Sequence, residues 1–190
     1  MKIAVLVSGN GTNLQALIDA NIQISLVISS VENAFALERA KKANIKVITI
    51  ARKKYADISD FDSALAAALT EEKIDLVVLA GFLSILGEKV LAAYSNKIIN
   101  VHPALIPSFC GKGFYGLRVH EEVIKSGVKV TGATVHFVNE IVDGGKIILQ
   151  KAIDVLPNDT PESLQKRVMQ ECEWVLLPQA VEKYCKGEIQ

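Results

Sequence analysis

Apolar residues run in short blocks at residues 3–7, 24–28, 46–50, 76–79 and 98–101, each bounded by turn residues. Near-continuous Val, Ile and Leu over such lengths predicts strands buried on both faces. Between these blocks, residues 13–20, 34–43, 62–72 and 88–94 carry helical patterns. Leu65, Ala66 and Leu69 recur at the three- to four-residue spacing of a helix packed on a sheet. The alternation predicts an α/β fold: a Rossmann-like, mostly parallel sheet with helices on both faces. The second half is modified. Residues 129–139 and 145–154 predict longer strands, linked by the turn-rich residues 140–145. A C-terminal helix opens at Thr160, with Pro161 in its first position and Glu162 in its first turn. It sets Leu164, Val168, Val175, Leu176 and Val181 roughly on one stripe. We expect a single domain over residues 1–190, with a mononucleotide-binding first half.

Composition narrows the function. Twenty-one basic residues balance twenty-one acidic ones, and half the chain is apolar. That speaks against a nucleic-acid platform or a membrane-surface module, both of which use excess positive charge. The longest apolar stretch, residues 76–86, contains Gly81 and Ser84 and is too short to span a bilayer. The N-terminus enters a strand pattern directly, with no small-residue cleavage site behind it, so no signal peptide is expected. Cys110, Cys172 and Cys185 are odd in number and widely spaced, which fits reduced thiols in a cytoplasm.

Three constellations carry candidate chemistry. Ser8-Gly9-Asn10-Gly11-Thr12-Asn13 follows the first strand and opens the first helix. Glycines there let backbone approach a ligand, and a helix start offers N–H groups to an anion. A dinucleotide fingerprint half fits, with Glu32 near the ribose-acid position, but Leu14 stands where the third glycine belongs. A single phosphate monoester suits the turn better. A plain strand–helix turn is the bland reading.

Asn100 and His102 alternate onto one side of the fifth strand's carboxyl end, where open α/β sheets bind ligands, and Pro103 and Pro107 stiffen the exit. An amide can polarise a carbonyl, and an imidazole can carry a proton near neutrality. A buried histidine with satisfied hydrogen bonds is the alternative. Asp143, before Gly144 and Gly145, is either an acid reaching the site or an ordinary turn residue. His120 opens like a zinc-protease helix, but Ile124 occupies the second ligand's place, so we expect a solvated helix residue. His136 shares a strand face with Thr134 and Val138, as a core or supporting residue. No Gly-x-Ser-x-Gly elbow exists.

Together these stretches, with Leu79-Ala80-Gly81-Phe82-Leu83 and Gly132-Ala133-Thr134-Val135-His136-Phe137-Val138, resemble the phosphoribosylglycinamide formyltransferases. The match runs over nearly the whole chain. Asn-x-His with a distant Asp is shared with methionyl-tRNA formyltransferase and formyltetrahydrofolate hydrolase, the alternatives. Each of those looks to need a further domain for which this chain has no room.

The resemblance implies that a formyl group passes from 10-formyltetrahydrofolate, as co-substrate, to the amine of glycinamide ribonucleotide in purine biosynthesis. Gly11, Thr12 and Asn13 would hold the ribonucleotide phosphate, within a phosphate-binding half of about residues 1–100. Leu83, Ser84, Ile85 and Leu86, with Asn100, would bind the folate. Asn100, His102 and Asp143 would be the catalytic set of the half from about residue 101 to 190. Glu173 would touch the ribonucleotide. No metal, nucleic acid or membrane is implied, and a monomer or weak homodimer in the cytoplasm is expected. Many relatives carry arginine where Ser84 and Ile58 stand; Arg52, Lys53 or Lys54 are the substitutes for holding a folate glutamate tail. Asp143 beside His102 is expected to raise the histidine pKa and keep an imidazolium as oxyanion donor. The glycine-rich residues 110–116 suggest a mobile lid.

Overall fold

Val, Ile and Leu in β1 (Ile3–Val7) leave no face for solvent, and every residue of this strand is buried. Around it the chain winds α1 (Thr12–Asp19), β2 (Ile24–Ser29), α2 (Phe35–Lys42), β3 (Lys46–Thr49), α3 (Ile58–Glu71), β4 (Leu76–Leu79) and α4 (Glu88–Ala93). These belong to the first of two compact units in a computed structural model that describes residues 1–189; this unit covers Met1–Ile99. Its strand order is β3-β2-β1-β4, with the three pairings parallel. The predicted α/β alternation therefore holds here, with element ends moved by a few residues. α3 begins earlier than its apolar stripe because Asp57 caps it, accepting from the Asp60 N–H at 2.9 Å. A 3₁₀ turn at Arg52–Lys54 was not predicted; three consecutive basic residues show no period.

The second unit begins at Asn100, inside β5 (Ile98–His102). It continues through α5 (Leu117–Lys125), β6 (Val130–Phe137), β7 (Ile147–Asp154), α6 (Pro161–Val168) and α7 (Trp174–Cys185). β6 and β7 are antiparallel, with Thr134 opposite Gln150 and a register shift between Val135 and His136. Gly132 is required in that pairing, since a Cβ there would meet the Lys151 carbonyl oxygen. Thr160 and Ser163 form a capping box at the start of α6. The C-terminal helix expected as one piece is interrupted by a π-helical turn at Met169–Glu173. Among the described residues, no helix is long and apolar enough to cross a membrane.

Candidate active site

In the second unit, Asn100 and His102 lie two apart on β5, so strand alternation puts both side chains on one face. His102 is buried, and its Nε2 donates to the Phe109 carbonyl at 2.8 Å. That bond leaves Nδ1 as the ring atom nearest Asp143, 3.5 Å from Oδ2. Asp143 stands at φ 56°, and its Oδ2 also accepts from the Gly111 N–H at 2.8 Å. Its Oδ1 lies 3.7 Å from His136 Nε2.

His136 sets the amide of Asn100. Its Nδ1 donates to the Phe137 carbonyl at 2.7 Å, so in the neutral ring Nε2 is the acceptor. Asn100 Nδ2 lies 3.1 Å from that nitrogen. The amide therefore has a fixed orientation, and one of its two N–H groups is left for a ligand. Both readings offered for His136 describe what is observed: it is buried in the strand, and it is hydrogen bonded to Asn100.

Electrostatics differ from expectation. Burial pushes the His102 pKa below its ordinary value, and this outweighs the opposing pull of the Asp143 charge and the Phe109 carbonyl. The expected raised histidine pKa is thus corrected: removing water from an imidazolium costs more here than one carboxylate at 3.5 Å returns. For Asp143, burial raises the pKa, but the neighbouring His136 and His102 and the hydrogen bond from the Gly111 N–H together lower it. The pair is a carboxylate facing a ring nitrogen that accepts a proton, with a seat for one proton between them.

The strand exit is braced by residues the sequence did not single out. Thr134 donates through Oγ1 to the Ala104 carbonyl at 2.7 Å and accepts from the Ile106 N–H at 3.1 Å. Gln150, its cross-strand partner, donates to the Ile106 carbonyl at 3.0 Å. Period-two alternation of Thr134 with His136 was the available signal for the first; nothing local marks Gln150. In the loop at residues 110–116, Phe109 and Phe114 meet edge to face and the Cys110 thiol donates to the Pro107 carbonyl.

His120 departs most clearly from its reading as a solvated residue. It is fully buried on α5 between Val119 and Val123, with neither ring nitrogen hydrogen bonded. Burial first, and nearby His102 second, hold its pKa down to about 4.

In the first unit, the turn after β1 is shaped by α2. Gly11 caps α1 at φ 69°, and a Cβ there would stand 2.6 Å from the Ala36 Cβ, so only glycine fits. Gly9 has open space around it, and its carbonyl accepts from the Ala36 N–H at 3.1 Å. Thr12 and Asn13 are the first residues of α1.

Ser8 ties this turn to residues 83–86. Its hydroxyl meets that of Ser30 at 2.7 Å and accepts from the Leu83 N–H at 2.9 Å. The far end is held by buried Asp62, which accepts from the Gly87 N–H at 2.7 Å and the Lys89 N–H at 2.8 Å. Between these anchors Leu83 and Ile85 are exposed, at 64% and 61%, whereas Leu86 is buried and Ser84 is half-buried. Of the basic substitutes, Lys53 and Lys54 both pair with Glu32, whose carboxyl is held down to about 2 by those two ammonium groups. Arg52 lies over the Phe61 ring and donates to the Tyr55 carbonyl. Glu173 is buried in the π-helical turn of the second unit. Among the described residues, no group of three His, Cys, Asp or Glu side chains is arranged to hold a metal ion.

An α/β chain with an Asn–His pair at a strand end and an acid beside the histidine is the setting in which comparison with known proteins places a formyl transferase fold. The chain belongs to that family: the formyl transferase model matches residues 1–181. Within it, the chain is 38% identical over 194 residues to the phosphoribosylglycinamide formyltransferase of Haemophilus influenzae, covering 99% of this chain and 89% of that protein. The crystal structure of glycinamide ribonucleotide transformylase 1 from Symbiobacterium toebii superposes with a TM-score of 0.92 at 39% identity, covering 98% of this chain and 88% of that one. The human trifunctional purine biosynthetic protein adenosine-3 is 42% identical over 195 residues, but the chain spans only 19% of its length.

Proposed function

We propose that this protein transfers the formyl group of 10-formyltetrahydrofolate to the primary amine of glycinamide ribonucleotide. The observation that carries the reading is the pinned Asn100 amide on the same strand face as the His102–Asp143 pair, with His102 Nδ1 3.5 Å from the carboxylate. In this reading the Gly11–Asn13 turn takes the ribonucleotide phosphate, and residues 83–86 give the pterin apolar surface and main-chain groups. Glu173 serves the ribonucleotide.

The amine nitrogen attacks the formyl carbon, and the C=O π pair moves to oxygen. The free Asn100 N–H donates to that oxyanion, and donors of this kind contribute about a hundred- to a thousand-fold in rate. The attacking nitrogen gives up a proton to the His102–Asp143 pair, which is built to accept one because burial keeps the ring neutral. The C–N10 bond then breaks as N10 takes that proton from the pair, leaving tetrahydrofolate and the ribonucleotide formylated on its amine. His102 acts here as a proton acceptor and carrier rather than as the standing cation the sequence suggested.

The test is a formyl-transfer assay with both substrates, followed by folate absorbance and product mass. Formylated ribonucleotide from the native chain, and its near-complete loss in Asn100→Ala with both substrates still bound, supports the proposal. Formate release without formylated product would identify a hydrolase instead.

A further inference from the structure

We infer that Arg39 is a positioning residue of the phosphate turn: it fixes the Asn10–Gly11 peptide so that the Gly11 N–H faces away from α2, toward the bound phosphate. The inference rests on the proposed reading of that turn as the phosphate site.

Arg39 lies on α2, and its Nε donates to the Asn10 carbonyl at 2.8 Å. Its Nη1 donates to Gln15 Oε1, on α1, at 3.0 Å. Gln15 is itself held, its Nε2 donating to Asp19 at 2.8 Å. The guanidinium carbon sits 5.1 Å from the centroid of the Phe35 ring. A planar cation held on two edges and one face has little freedom, so the carbonyl it grips has little either.

The consequence follows from peptide geometry. The Asn10–Gly11 bond is trans, and in a trans peptide the C=O and the following N–H point in opposite directions. With the Asn10 carbonyl drawn onto α2, the Gly11 N–H must point away from it. The Ala36 N–H, holding the Gly9 carbonyl at 3.1 Å, does the same for the Asn10 N–H. Two successive amides thus face one direction, the arrangement that receives an anion. Gly11 makes a brace necessary, because a glycine populates both signs of φ and the peptide before it turns over easily. The arginine holds this carbonyl from another helix. Sequence reading passed over Arg39 because it sits in a charged, helix-compatible run, Glu38-Arg39-Ala40-Lys41-Lys42.

The experiment measures binding of glycinamide ribonucleotide, of its phosphate-free riboside and of folate to the native chain, Arg39→Lys and Arg39→Met, by calorimetry. Thermal melts report folding. A second readout, independent of turnover, is the Gly11 amide in ¹⁵N-glycine spectra titrated with inorganic phosphate. Native protein should prefer ribonucleotide to riboside, and both variants should lose about tenfold or more of that preference with folate affinity unchanged. Lysine should fail nearly as badly as methionine, since an ammonium lacks the fork that holds Asn10 and Gln15 together. The Gly11 resonance should shift with phosphate in native protein and not in the variants. Full rescue by lysine, or undiminished preference in both variants, overturns the inference while leaving the phosphate site standing. No preference in the native chain overturns the phosphate reading itself, and this inference with it. Should Arg39→Met melt far below the native chain, Arg39→Lys and the Gly11 resonance decide the matter alone.

Discussion

His120 offers a stability prediction that can be worked through. It is fully buried with both ring nitrogens lacking partners, and its pKa stands at about 4 against an ordinary 6.5. Between those values the unfolded chain binds a proton that the folded chain refuses. Stability therefore rises with pH across that window and is lost as pH falls from about 6.5 toward about 4. At about 1.4 kcal/mol per unit, a gap of about 2.5 units makes the full loss about 3.5 kcal/mol, of which about 3 kcal/mol is reached by about pH 4. That is a substantial part of the ~5–15 kcal/mol by which domains are usually stable. His120→Leu keeps a similar volume, suits a helix and removes both the titration and the orphaned nitrogens. Near neutral pH the variant should equal or slightly exceed the native chain, because an apolar replacement of an unsatisfied buried group is neutral or stabilising. On acidification the gap should widen. Urea unfolding at about pH 7.5 and about pH 4 measures it as a change in the difference between the two proteins, so that carboxylates common to both cancel. The expected widening is about 3 kcal/mol in favour of leucine. A gap that stays constant would refute the reasoning, and would mean that His120 finds a partner or water in the folded state.

Asp143→Asn should slow formyl transfer strongly and move the acid limb of the kcat/KM profile to lower pH. The carboxylate is what opposes the effect of burial on His102, so without it the ring takes its inactivating proton only in more acidic solution; an unmoved limb would show that the two do not share a proton. Gly11→Ala should lower the melting temperature, through a left-handed backbone costing about 1–2 kcal/mol and a Cβ pressed on Ala36, and should weaken ribonucleotide more than folate in calorimetry. Ser84→Arg should raise the affinity ratio of polyglutamylated to monoglutamylated folate by up to about fivefold, the worth of an exposed ion pair, as read by fluorescence titration.

Much of this protein was legible from residue order. The short Val, Ile and Leu blocks named the strands of the first unit. β1 and β4, buried on both faces, leave no position for a polar residue, whereas β3, expected to be buried likewise, is an edge strand with Lys46 and Thr49 exposed. Gly11 announced a special backbone, and Thr160 with Pro161 announced the start of α6. Asn100 and His102 could be placed on one side of a strand from period two alone. Each of these rests on a residue and its neighbours within a few positions, where backbone sterics and periodicity act. Tertiary structure decided the rest. His136 reaches Asn100 across 36 positions, and Gly111 reaches Asp143 across 32. Arg39 meets Asn10 across 29. His120 looked solvated in a sequence of alternating polarity, yet α5 turns it inward beside Val119 and Val123. The sign of the His102 shift was misjudged for the same reason. A carboxylate one strand further along the chain was visible in the sequence, but the depth of burial opposing it was not. Charge and propensity belong to residues and can be read in order; desolvation and hydrogen-bond geometry depend on what distant segments bring within a few ångströms, and those are set only by the folded chain.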